Sequence, residues 1–255
     1  MENFTIKDLF NKKLESLYIT LCIVKNEVKI KRNEVIEEKN VYSLVGVGKN
    51  GRYSLLNIIV EKQNASRLWL DTFETLKTRG IVDVLYISVE DNKEIKRAAK
   101  IAFPTCVFID SITGVAPIFY RYSSERGIYA VVAKIKKLYT QKTLVDYESS
   151  LKEFTKIYPS LIHKKLQEKY LKNVKSIYKY NDVVRKFLFN TSKSLKIYDI
   201  IRLKYKDKYI SGLEQLLEEL DTNKLSFLKV SPSKKEWNSV LVELSLLYPE
   251  IDFIT

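Results

Sequence analysis

Proton-moving chemistry needs titratable side chains in suitable company, and this chain offers few beyond its carboxylates and lysines. His163 is the only histidine, so a Ser-His-Asp or Cys-His mechanism would depend on that one imidazole. It stands beside Lys164 and Lys165 in a lysine-rich run, where a surface or partly buried role is the plainer reading. Cys22 and Cys106 are the only cysteines, and both sit in apolar runs, as reduced core residues do. A structural zinc normally takes four Cys or His ligands, so this chain alone is not expected to build one. Gly46-Val47-Gly48 leads into a turn signal rather than a helix, and no phosphate-loop pattern follows any apolar run. No nucleotide cofactor is expected.

What remains is charge. The 255 residues carry 44 Lys plus Arg against 31 Asp plus Glu, a formal +13, which favours a polyanionic partner. Residues 161–210 alone hold 14 basic and 4 acidic residues. Lys164, Lys165, Lys169 and Lys172, then Lys193, Lys196, Arg202, Lys204, Lys206 and Lys208, could follow a phosphate backbone. Tyr170, Tyr178 and Tyr180 interleave with them, and core packing is their plainer role. Hydrophobic residues at 45% support a substantial core, while 7 Gly and 5 Pro exclude collagenous and low-complexity classes. The run Leu17–Val24 is too short to span a bilayer, and Met1-Glu2-Asn3-Phe4 has no signal-peptide character. A reduced, cytoplasmic protein is expected, nucleoid-associated if it binds DNA.

The elements that must position these groups follow from periodicity. Leu17–Val24, Val41–Val47 and Tyr53–Val60 are rich in β-branched and aromatic residues and predict strands. Lys49-Asn50-Gly51-Arg52 predicts a two-residue hairpin with both central residues at positive φ. The charged stretch Lys25–Asn40 predicts a long hairpin arm. Residues 65–79 switch to helical spacing through Trp69, Phe73 and Leu76, with Gly80 as terminator. Val82–Val89 predicts a buried strand. Asp91 is positioned to cap a helix whose narrow face is Ile95, Ala98, Ala99 and Ala102, with Glu94 reaching back. Phe103-Pro104 ends it before a fifth strand at Cys106–Ile109.

Beyond Ser124 the pattern is almost wholly helical, with Ile162, Leu166, Tyr170, Val174 and Ile177 on one stripe. Ser233 and Glu236 form a capping box ahead of Trp237, Leu241, Leu244 and Tyr248. The order βββαβαβ predicts an α/β fold with a mixed five-stranded sheet and flanking helices, of ribonuclease H-like order. Three parts are expected: a β-rich core over 1–123, a helical insertion over 124–183, and C-terminal helices over 184–255 completing the core.

Several of these fragments, in this order, resemble the catalytic region of Mutator-type bacterial insertion-sequence transposases. They are Gly46-Val47-Gly48, the Asn50-Gly51 turn, Asn64-Ala65-Ser66 before Leu68-Trp69, and Leu76-Lys77 with Arg79-Gly80. Ala99 with Phe103-Pro104 follows, then Val184–Ser192, similar to the family's Ile-Arg-Lys-x-Ile-Tyr-Thr-Thr-Asn segment, and Glu236-Trp237. The resemblance implies a ribonuclease H-like core that cuts and joins DNA using magnesium or manganese. Three carboxylates hold two such ions about 3.5–4 Å apart.

Carried onto this chain, the resemblance places the first carboxylate at Glu15, the second at Glu90, and the third at Leu195. The family's Cys-x-x-His pattern falls on Ser111 and Gly114. Asp91 beside Glu90 and Asp199 one turn beyond Leu195 are the substitutes, although a helical turn displaces a ligand by about 5.4 Å. Family members carry an N-terminal helical region that recognises element ends, and here about a dozen residues precede the first strand. The expected function is therefore that of a transposase-derived protein of a mobile element, binding DNA without catalysis, a pseudoenzyme of transposition and DNA recombination. The alternatives are an active metal-dependent transposase using displaced carboxylates, and a non-catalytic interaction or assembly module, including a homo-oligomer.

Overall fold

A computed structural model of the chain describes residues 10–61, 65–111, 125–157, 173–188, 192–205, 208–219 and 232–253. The first elements are β1 (Leu17–Arg32), β2 (Val35–Gly48), β3 (Tyr53–Val60), α1 (Ala65–Thr78), β4 (Asp83–Val89), α2 (Lys93–Ala102) and β5 (Val107–Ile109). They are followed by α3 (Glu125–Tyr139), α4 (Leu144–Ile157), a 3-10 helix (Asn173–Lys179), α5 (Asp182–Leu188) and α6 (Ser192–Tyr205). The last are β6 (Tyr209–Ile210), α7 (Leu213–Glu219) and α8 (Lys234–Leu247). The chain is α/β, with a mixed sheet as expected. Two compact units interleave along it: Met1–Phe108 with Lys193–Pro232, and Ile109–Ser192 with Ser233–Thr255.

In the first unit the strand order is β3-β2-β1-β4-β5, with β6 pairing β1. β1–β2 and β2–β3 are antiparallel, and β1–β4 is parallel. Among the described residues the sheet therefore has six strands rather than five. The extra strand is Tyr209–Ile210, paired with Lys29 and Ile30. Two residues carry no periodicity, so only their place beside β1 makes them a strand. The charged stretch 25–40 does form a long arm: β1 and β2 stay paired out to Arg32 and Val35. The turn between them is Asn33-Glu34, at φ 47° and 64°, so the two positive-φ residues lie here.

At 49–52 only Gly51 has positive φ, at 72°. Gly51 N–H donates to Gly48 O at 3.0 Å and Gly48 N–H to Arg52 O at 3.1 Å. That is a three-residue loop closed by a left-handed glycine, not the two-residue turn expected.

Alternation along the strands separates two apolar faces. On one, Tyr18, Leu21, Ile23 and Leu44 meet Trp69, Phe73 and Leu76 of α1 and Ile95, Ala98 and Ala99 of α2. Tyr42 meets Trp69 edge-on at 4.9 Å, and Phe73 meets Phe103 likewise at 6.0 Å. On the other face, Cys22, Val28, Ile30, Val41 and Val45 pack on Ile197, Ile201 and Tyr205 of α6 and Leu216 and Leu217 of α7. Cys22 and Cys106 are both buried and outside any disulfide. With helices on both faces, β4 reads as the continuous apolar run of a covered strand.

The second unit is helical. Arg185, 5% exposed, donates to Tyr180 O at 2.7 Å, Lys142 O at 2.8 Å and Gln141 O at 3.1 Å. Its guanidinium also lies 4.5 Å from the Tyr178 ring centre. This basic residue serves the interior. Trp237, Val240 and Leu244 are the buried face of α8, and Phe187 meets Trp237 at 5.7 Å. Ser233 caps α8 and bonds the Glu236 carboxylate at 2.8 Å, as the capping box predicts. Ile177 is buried on a 3-10 rather than an α-helix. Ile162, His163, Leu166 and Tyr170 lie outside the described residues.

Gly80 ends the α1 turn at φ 120°, and a Cβ there would stand 2.9 Å from Leu14 O. Gly80→Ala is expected to lower unfolding stability by about 1–3 kcal/mol, as read from the urea midpoint. Ala at exposed Glu74 is the control.

Candidate functional site

In an open α/β sheet, ligands bind beyond the carboxyl ends of parallel strands, where loops leave the sheet without covering it. Here that place is the end of β1 and β4, where the register runs from Leu17↔Asp83 to Ile23↔Val89. A small cavity of about 110 Å³ lies there, lined by Ile23, Lys25, Tyr42, Val89, Glu90, Asp91, Asn92 and Ile95. Glu90 follows β4 directly, so the strand itself aims it.

The register decides which candidates can meet. Glu15 precedes the first β1–β4 pair and Glu90 follows the last. All seven residues of β4 lie between them, on the order of 20 Å at about 3.3 Å per residue. Glu15 and Glu90 therefore stand at opposite ends of the sheet and cannot share a metal pair. The β1 residue level with Glu90, continuing the register, is Val24, which is 1% exposed. Lys25 comes next, its side chain 24% exposed and its Nζ 3.4 Å from Glu27. Sequence reasoning missed both positions. The signal that finds them is strand register, which needs the paired strand.

The other candidates divide as follows. Asp91 does not cap α2: Asn92 does, its Oδ1 accepting from Glu94 N–H and Ile95 N–H at 3.0 Å each. Asp91 instead pairs with Lys96 at 3.1 Å. Asp199 lies on α6, half-buried, beside Tyr198, whose carbonyl accepts from the buried Asn26 Nδ2 at 3.0 Å. Asn26 stands on β1 one residue beyond Lys25, so α6 and Glu90 belong to the same end of the sheet. Leu195 lies in α6, its side chain outside the described residues. Ser111 is buried, and Gly114 lies outside them.

Of the basic candidates, Lys196 and Lys208 are exposed, while Arg202 and Lys204 are half-buried. Lys204 lies 6.0 Å from the Tyr205 ring centre. Lys193 is the second residue of α6, its side chain outside the described residues. Lys164, Lys165, Lys169, Lys172 and Lys206 lie outside them altogether. Tyr178 donates to Leu138 O at 3.0 Å and Tyr180 is 8% exposed, so both serve packing.

The crevice electrostatics are mixed. Burial pushes the Tyr42 phenol well above its usual range, and the charges of Glu61, Glu90, Glu94 and Glu27 add to the shift. The donor set does not suit the metals that the resemblance implies. Asn92 Oδ1 is committed to the helix cap and Asp91 faces Lys96, while Lys25 is a basic residue in the same lining. Among the described residues, no group of three His, Cys, Asp or Glu could hold a metal ion.

The motif residues cluster at the other end of the sheet and hold the fold. Arg79 donates to Leu56 O at 2.7 Å and to Lys12 O at 3.1 Å, tying the segment before β1 to β3. Any Cβ at Gly46 would run into the Tyr18 ring and come within 2.9 Å of Leu56 Cδ1, and one at Gly48 would strike the Glu15 carboxylate. Glu15 itself is exposed and 3.5 Å from Asn50 Nδ2. Burial pushes the Tyr18 phenol up to about 12.

A family model described as "Transposase, Mutator family" matches residues 3–210. The "Transposase for insertion sequence element ISRM3" of Rhizobium meliloti (strain 1021) is 25% identical over 142 residues. That stretch is 56% of this chain and 35% of the relative. The "Probable transposase for insertion sequence element ISRM3-like" of Sinorhizobium fredii (strain NBRC 101917 / NGR234) is also 25% identical over 142 residues, with the same coverage of each chain. The aligned stretch thus spans about a third of either curated relative. No helix among the described residues is long and apolar enough to cross a membrane.

Two outcomes are expected. Asn92→Ala should cost about 1 kcal/mol as a lost cap, and Asp91→Ala less, since it breaks a partly exposed ion pair; paired urea titrations compare them. Folding holds Tyr18 protonated up to about 12 against 10.0 for a free phenol. The unfolded chain therefore releases that proton first, and stability falls as pH rises through this window. Tyr18→Phe should make the alkaline loss shallower.

Proposed function

The chain belongs to the Mutator family of transposases, and from that premise we propose that it is a degenerate transposase core that binds DNA without cutting or joining it. The observation that carries the reading is the crevice at the ends of β1 and β4. Continuing the register sets buried Val24 level with Glu90, and Lys25 is among the residues that line the cavity there. Cutting and joining by two metals needs hard oxygen ligands from both strands to hold ions about 3.5–4 Å apart. β1 offers none at that level. The sheet order and the helices on both faces support a ribonuclease H-like assignment for the first unit.

DNA binding rests on charge. The formal +13 of the chain gives it an electrostatic preference for polyanions, and exposed Lys196 and Lys208 are basic side chains open to a phosphate backbone. Phosphate contacts position a protein on nucleic acid without reading sequence. Binding with little sequence preference is therefore the activity assigned, in a protein derived from a mobile element.

The test uses one sample for both halves of the reading. In gel-shift titrations on duplex DNA, affinity should fall about a thousandfold between 50 and 200 mM salt if about six phosphates are neutralised. Lys196→Ala and Lys208→Ala should each lower the salt slope by up to about 1. With magnesium or manganese, no metal-dependent nicking should appear. A flat salt response would overturn the binding half, and nicking abolished by Glu90→Gln would overturn the other.

A further inference from the structure

We propose that the open edge of β2, out along the arm, takes an added strand: an extended basic segment of a partner protein. The inference is independent of DNA binding and of the crevice at the ends of β1 and β4. β3 pairs with β2 only from Val41 to Val47. Farther out, Val35–Asn40 has β1 on one side and, among the described residues, no strand on the other. Glu61 N–H donates to Asn40 O at 2.8 Å, so the backbone groups of Asn40 face that open side. Successive residues of a strand turn their N–H and C=O to opposite edges, which aims those of Glu38 and Ile36 the same way as those of Asn40.

The arm already accepts a strand on its other edge. β6 joins β1 at Lys29 and Ile30, past Ile23, where pairing with β4 stops. The place beside Val35–Lys39 is the counterpart on β2. A cavity of about 750 Å³ lies along it, with Val35, Glu37 and Lys39 of β2 on one side, Glu61 after β3, and Leu213 and Glu214 of α7 opposite. All belong to the first unit. The far wall is tied to itself, since Ser211 N–H and Oγ–H both donate to Gln215 Oε1, at 2.7 and 3.0 Å.

A strand laid on this edge sends every second side chain into the cavity, so main-chain bonds would give affinity and the cavity specificity. Val35 and Ile36 are 59% and 47% exposed, leaving apolar surface for it to cover. Charge selects the occupant. Glu37, Glu61 and Glu214 stand in the lining, where Lys39 is the one basic residue among those described, and Lys39 is engaged by Glu37 at 2.9 Å. In a chain of formal +13 this is an acidic place, and basic side chains complement it. A second copy does not: a two-fold axis across the edge sets Glu37 or Glu38 opposite itself, and like charges directly opposed are destabilising.

The probe is a fluorescein-labelled heptapeptide of alternating lysine and valine, capped at both ends, and fluorescence anisotropy with the full chain reads its binding. Wild-type protein should bind it saturably, less tightly as salt rises, and should bind the glutamate–valine peptide at least about tenfold more weakly. Two lysine–valine peptides N-methylated on alternate residues keep every charge, and each loses the N–H groups of one edge. The one whose methyl groups face β2 should not bind. Glu38→Pro removes an outward N–H and spares the ladder to β1, as proline on an edge strand does, and should weaken binding about tenfold. Glu214→Lys, at an exposed position, should weaken it several-fold. Absence of saturable binding by wild type, retained binding of both N-methylated peptides, or no effect of Glu214→Lys would overturn the proposal. So would a dimer in light scattering that folded Glu38→Pro dissolves, since a second copy would then hold the edge.

Discussion

Parallel pairing of β1 with β4 is the constraint from which the rest of the first unit follows. Two parallel neighbours put both carboxyl ends at one edge of the sheet and both amino ends at the other. Their register, Leu17↔Asp83 through Ile23↔Val89, then assigns each side chain to one end. Crossover connections between parallel strands require helices on the sheet, and α1 and α2 cover one face. The opposite face is closed by α6 and α7, which return from far along the chain. Because both faces are covered, β4 and the stretch of β1 paired with it are largely apolar, and the polar residues that matter are found at the ends.

The two ends have diverged in character. At the amino end stand the motif residues: Arg79 across to Leu56 and Lys12, Gly80 against Leu14, and Gly46 and Gly48 beneath Tyr18 and Glu15. They are packing devices, and they account for why this part of the chain is still recognisable as a member of its family. At the carboxyl end the groups that could do chemistry are few and engaged. Asn92 caps a helix, Asp91 meets Lys96, and Lys25 meets Glu27. Packing constrains a fold at every buried position, while catalysis needs only a few oxygens at one edge. Fold and chemistry therefore answer to different residues.

Much of the fold was legible in advance. Strand positions, the helix at 65–78, the long arm and the capping box at Ser233 all follow from periodicity and local hydrogen-bonding chemistry. Errors arose where one residue had to be chosen from neighbours of equal propensity. Asp91 and Asn92 can each cap a helix, and the backbone turn selects Asn92. Asn50-Gly51 can form two kinds of hairpin loop, and the chain takes the longer one. Arg185, one of the 14 basic residues of 161–210, is buried on three carbonyl groups. Burial cannot be read from residue type.

The sequence by itself determined the class of fold, the family, the excess of basic charge and the scarcity of Cys and His, because each is a property of composition or of residues close in the chain. Tertiary structure decided which carboxylates could meet. Glu15 and Glu90 both look like plausible ligands when placed along a line of residues, yet parallel register sends them to opposite ends of the sheet. The same register, continued, sets Val24 level with Glu90, and Lys25 lines the crevice. Strand pairing joins residues more than sixty positions apart, and one residue of register changes which side chain faces the site.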